Sequence, residues 1–168
     1  MKPKTVGRDA GGAFRPIDAH SLCHGLPVGL NINTRDGVLP VEHLSAGDHI
    51  VTRNGGMTEL LGIHATTQST RGVTFTAGCF GEDTPHDDLV LPSDQPVLIR
   101  GWRARMLFGQ AQAMCAAGHL VDGEFIRDAG PRRFVLFRLE FDRPRVIYGN
   151  GIELGSEPQI SRPNRAVA

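Results

Sequence analysis

An all-β fold with at most one or two short helices is predicted for this chain, and three features carry that expectation. Turn signals recur at short intervals, with Asp36-Gly37, Asn54-Gly55-Gly56 and Gly149-Asn150-Gly151 the clearest; Asp-Gly and Asn-Gly supply the positive φ that tight hairpins need. Between them lie short runs of β-branched and aromatic residues, which suit a pleated, half-buried surface. The 21 glycines and 11 prolines interrupt these runs too often for long helices.

Taken in order, residues 1–24 hold charges, glycines and scattered apolar positions and are read as a flexible N-terminal arm. The folded body is expected over residues 25–157. Its first part, from Val28 to Gly56, reads as successive hairpins through Thr34-Arg35-Asp36-Gly37, Val41-Glu42-His43-Leu44, Ala46-Gly47-Asp48 and Ile50-Val51-Thr52. Further strands are expected at Met57 to Ile63, Val73 to Ala77, Leu89 to Leu91, Val97 to Ile99, Phe134 to Leu139 and Arg145 to Tyr148. Thr66 to Arg71 is Ser/Thr-rich and Gly81 to Asp88 acidic, so both read as surface loops. Gln110 to Leu120, rich in Ala, Met and Gln and followed by Gly123, is the one segment expected to be helical. Residues 158–168, with Arg162, Pro163 and Arg165, are read as a frayed tail.

The bulk composition excludes several classes. Lys plus Arg, 18, equals Asp plus Glu, 18, so no global field draws the chain to nucleic acid or to an acidic membrane. No apolar run is long enough to span a bilayer, and no signal-peptide segment follows Met1-Lys2-Pro3-Lys4. A cytoplasmic location is the default expectation, with signal-independent secretion left open. Cys23, Cys79 and Cys115 are odd in number and widely spaced, which fits a reducing compartment better than a disulfide framework.

The opening hairpins, together with Ile99-Arg100-Gly101-Trp102-Arg103-Ala104, Leu107-Phe108-Gly109, Gly118-His119-Leu120-Val121-Asp122-Gly123 and Gly149-Asn150-Gly151-Ile152, resemble a Hint domain of bacterial type. Hint is the self-processing fold of Hedgehog C-terminal segments and inteins, and the resemblance covers residues 25–157. It implies a Cys, Ser or Thr opening the domain and attacking the preceding carbonyl. It also implies a Thr/Ser-x-x-His element on a later strand that polarises and protonates the strained amide.

In this chain Gly25 falls on the nucleophile position. Gln95, within Pro92-Ser93-Asp94-Gln95, falls on the family's histidine, with Pro92 in place of the hydroxyl residue. Pro144, within Asp142-Arg143-Pro144-Arg145-Val146, falls on a further family histidine. Glycine has no nucleophile, and a glutamine cannot shuttle a proton near neutral pH. The resemblance therefore implies a self-processing scaffold, with the chain's own polypeptide as ancestral substrate, whose catalytic positions are degenerate and which persists as a binding or structural module for another protein. The alternative is an active autoprocessing domain in which Cys23, two residues upstream of Gly25, is the nucleophile of an N–S acyl shift. Even then the missing histidine removes general-acid help worth roughly 100- to 10,000-fold.

Other constellations weigh less. His20, Cys23 and His24 could ligate a metal, but zinc needs three or four convergent ligands and no second cluster stands at suitable spacing, so no metal or other cofactor is expected. Thr84-Pro85-His86-Asp87-Asp88 reads as a solvated turn rather than a metal loop, and His119 as structural. Trp102, the only tryptophan, is expected in the core; the alternative is an exposed binding patch with Arg100 and Arg103, since aromatic and arginine residues favour interfaces.

Overall fold

The computed structural model describes residues 23–157; residues 1–22 of the expected arm and the tail 158–168 lie outside the described residues. Alternating buried and exposed positions, cut by turns, make twelve strands and one α-helix among the described residues. The first sheet is antiparallel, in the order β1 (Leu26–Pro27), β10 (Ile126–Glu140), β6 (Gly62–Phe75) and β7 (Leu89–Pro92). The second runs β3 (Gly37–Pro40), β2 (Asn31–Thr34), β4 (His49–Thr52), β11 (Val146–Gly149), β12 (Ile152–Gly155), β8 (Pro96–Arg100) and β9 (Gln112–Ala116), with β5 (Gly56–Glu59) paired to β4. Ile32, Ile50, Val97, Ile147 and Leu154 of the second sheet join Phe75, Leu91 and Ile126 of the first in one buried cluster. Burying each such side chain contributes about 1.5–3 kcal/mol.

Three sequence expectations are corrected. Thr66 to Arg71 is not a loop but the middle of β6, paired with Leu136 to Pro131 of β10. The long ribbon is partly solvated on its faces, so its polar residues need no turn, and β-branched threonines suit a strand. Gln110 to Leu120 is not an α-helix: Gln112–Ala116 pairs with β8, and a 3-10 turn follows at Ala117–Leu120. Here edge pairing and the burial of Ala113, Cys115 and Ala116 override helix propensity. Val41–His43 is likewise a 3-10 turn rather than part of a hairpin.

The helix that does form, α1 (Trp102–Phe108), comes earlier than expected. Gly109 ends it in the left-handed region at φ 67°, where its N–H reaches the carbonyls of Ala104 and Arg105, a C-terminal cap that favours glycine. Ala104 and Phe108, one turn apart, face the core. No helix among the described residues is long and apolar enough to cross a membrane.

Candidate functional site

The chain enters the body at Cys23, His24 and Gly25, laid against β10 and the turn before β8. Gly25 is buried, adopts φ 148° and packs so closely that a Cβ added there would lie 2.9 Å from Leu136 Cβ. That conformation belongs almost only to glycine. The Gly25 N–H donates to Gln95 Oε1 at 3.0 Å, although 70 positions separate the two residues. Gln95 is fully buried at 0 % exposure, and its Nε2 donates to the carbonyls of Pro96 and Gly155, each at 3.0 Å. One N–H faces Oε1 and two carbonyls face Nε2, so only this amide orientation satisfies every group.

The other side of the same peptide unit is held as well. Arg138 Nε donates to the His24 carbonyl at 3.2 Å. The peptide bond between His24 and Gly25 is thus gripped by a guanidinium on its oxygen and by a carboxamide oxygen on its N–H. The space left among Gly25, Gln95, Gly155 and Ser156 is about 10 Å³, at the lower limit for a single water.

This arrangement has a definite chemical sense. A peptide nitrogen that donates its hydrogen to an acceptor keeps its lone pair in the amide, whereas breaking the bond requires a donor aimed at that nitrogen. Gln95 presents an acceptor there, and its two donor hydrogens are engaged elsewhere.

Pro144 is not among the residues lining the space beside Gly25 and Gln95, although Ser156, which lines it, bonds to the residue after Pro144. The Pro144 carbonyl accepts from Asn54 Nδ2 at 3.5 Å, while the next residue, Arg145, donates from its backbone N to Ser156 Oγ at 2.9 Å. The Arg145 side chain is only 6 % exposed and is neutralised by Asp142, with Nη2 contacts of 3.0 and 3.1 Å. Cys23 lies at the edge of the group: its N–H donates to Asp94 Oδ2 at 3.1 Å and its thiol to Gln68 Oε1 at 3.0 Å. Burial pushes the Cys23 thiol above its ordinary value; contact with Thr70 opposes the rise, Asp94 adds to it and Arg138 opposes it. His20 lies outside the described residues, and among those described no group of three or more His, Cys, Asp or Glu side chains is placed to hold a metal ion.

A family profile described as a Hint domain matches residues 25–157, most of the chain. The chain belongs to the Hint domain family. This Hint domain shares its fold with a bacterial intein-like domain from Clostridium thermocellum, at 14 % identity and a TM-score of 0.53, over 79 % of this chain and 98 % of that one. The gp41-1 intein aligns at 12 % identity with a TM-score of 0.50, over 77 % of this chain and 96 % of the intein. Comparison with curated proteins gives no match.

Arg100, Trp102 and Arg103, the alternative binding patch, lie together on another part of this Hint domain. They border a cleft of about 320 Å³ with Phe80, Tyr148 and Glu153. Trp102 is 64 % exposed, which corrects the expectation of a core tryptophan. The reason is helical phase: Ala104 and Phe108 point inward, so Trp102 and Met106 fall on the opposite face of α1.

Sequence reasoning did not single out Arg138. Its signal was available, as the one charged residue inside the apolar run Phe134-Val135-Leu136-Phe137-Arg138-Leu139. A lone cation in a half-buried strand commonly marks a polar group that needs pairing.

Proposed function

We propose that this Hint domain does not cleave itself and acts as a binding or structural module, its former catalytic centre serving as a clamp on the chain leading into the domain. The observation that carries the reading is the Gly25 N–H on Gln95 Oε1, an acceptor where self-processing requires a proton donor. The lack of a side chain at Gly25, and the lack of room for one, supports it. The raised thiol of Cys23, donating to Gln68, argues against the autoprocessing alternative, because the thiolate is the nucleophile. Pro144 and the binding patch belong to this reading as a lost catalytic position and a partner surface.

The test is the intact mass of the full chain after incubation with a thiol or with hydroxylamine. The expected result is an unchanged mass. Loss of residues 1–22, abolished by Cys23→Ala, would overturn the reading and establish Cys23 as a working nucleophile.

A further inference from the structure

A second cleft, which shares Phe80, Trp102 and Arg103 with the first, has a chemistry of its own. The aromatic residues Phe80, Trp102 and Phe125, the cation Arg103 and the carboxylates Asp122 and Glu124 line a volume of about 550 Å³. Phe125 is 50 % exposed and Met106, one helical turn from Trp102, 49 %. Trp102 shares the cleft with Phe125 and lies one helical turn from Met106, so large exposed apolar side chains gather here as they do at interaction sites.

The sign of the missing partner follows from which charges are already satisfied. Arg103 is spent: its guanidinium lies 5.1 Å from the Phe80 centroid and 4.8 Å from that of Trp102, and Nη1 donates to the Cys79 carbonyl at 2.8 Å. Arg100 is paired with Glu153. An incoming anion would have to displace these contacts. The carboxylates are less fully engaged. Asp122 Oδ1 accepts the N–H groups of Glu124, Phe125 and Ile126 at 2.8, 2.9 and 2.9 Å and the carboxylate also feels the positive charge of Arg103, while Oδ2 makes no hydrogen bond among the described residues. No hydrogen bond or ion pair among the described residues uses the Glu124 carboxylate. Two carboxylates against the single cation of Arg103 leave the cleft net negative, and aromatic faces beside them suit a planar cation, which stacks on a ring and pairs with the acid together.

We propose that this cleft docks an arginine side chain of a partner protein, with Trp102 and Phe125 flanking the guanidinium, Glu124 and Asp122 Oδ2 pairing with it, and Met106 receiving an adjacent apolar residue. The partner is a polypeptide rather than a small cation because Met106 carries the apolar surface a full turn beyond the cleft. The proposal rests on the binding-module reading and names the chemistry of its partner.

Trp102 is the only tryptophan, so its fluorescence in the full chain reports occupancy directly. The probe is the peptide acetyl-Gly-Leu-Arg-Leu-Gly-amide, compared with versions carrying norleucine or glutamate in place of arginine. A saturable change is expected with the arginine peptide alone, weakened by added salt and reduced at least about tenfold by Glu124→Lys. Calorimetry with Trp102→Ala should show the same loss without relying on the reporter. Equal responses to the arginine and glutamate peptides, or no saturation by about 5 mM, would overturn the proposal. So would poor quenching of Trp102 by acrylamide in the free chain, which would mean the face is already covered. Intact mass of the same samples reads self-cleavage separately, so a failure here and a failure of the non-cleaving reading remain distinct.

Discussion

Replacing Gln95 with glutamate changes one atom's chemistry and almost no volume, and its cost should depend on pH in a way the Gln95 contacts dictate. Below about pH 4 the carboxyl is protonated; it can still accept from the Gly25 N–H, but its single hydrogen serves only one of the Pro96 and Gly155 carbonyls. The other carbonyl is left buried and unpaired, at a cost of about 1–3 kcal/mol. At higher pH the charged form would face both carbonyls at 3.0 Å with no exposure to water, so the folded-state pKa must rise well above the unfolded value of about 4.3. A raised folded pKa means that stability is intact below the unfolded value and falls as pH climbs toward the folded one, by about 1.4 kcal/mol per unit. By pH 7 the further loss reaches as much as about 3–4 kcal/mol, a large part of the 5–15 kcal/mol typical of a domain. Urea denaturation followed by far-ultraviolet circular dichroism, on parent and variant from pH 4 to pH 7, measures the difference. Gln95→Leu provides the control, with a loss that does not vary with pH. If parent and Gln95→Glu change in parallel across that range, the side chain does not face two carbonyls and the clamp is misassigned.

The other expectations follow from the same contacts. Gly25→Cys should destabilise the domain by about 2–5 kcal/mol, through a strained backbone and overlap with Leu136, and should restore no cleavage detectable by mass, even alongside Gln95→His. Trp102→Ala should cost less than about 1 kcal/mol in denaturant titrations, because the side chain is mostly in water; a loss of 3 kcal/mol or more would return it to the core. In native protein near pH 8, brief alkylation followed by peptide mapping should label Cys23 before Cys79 or Cys115. Burial pushes those two thiols up to about 11 and about 12, whereas Cys23 is only part-buried; labelling of Cys115 first would contradict the packing.

Much of the β framework could be read from the chain because its turns carry their own chemistry. Asp36-Gly37 and Asn150-Gly151 announce hairpins locally, and Asn150 indeed takes φ 49° in the link between β11 and β12. What the local pattern misjudged was decided by distant partners. Gln112–Ala116 is a strand because β8 lies beside it, and Thr66 to Arg71 extends because β10 does. The family motifs pointed to Gly25 and Gln95, and the two are in direct contact. The hold of Arg138 on the His24 carbonyl had no precedent in spacing, since 114 positions separate the two residues.

That separation also sets an order of events during synthesis. The Gly25 amide stays unsecured until β10 has supplied Arg138 and until the Gly155 carbonyl has arrived to orient Gln95. At roughly 5–20 residues per second, the segment leading into the domain waits on the order of ten seconds after leaving the ribosome before it is fixed in place. Through that interval the two sheets are incomplete and the peptide joining His24 to Gly25 has only part of its final contacts. The last strand therefore works as a timer, closing that window only once the whole domain has been made.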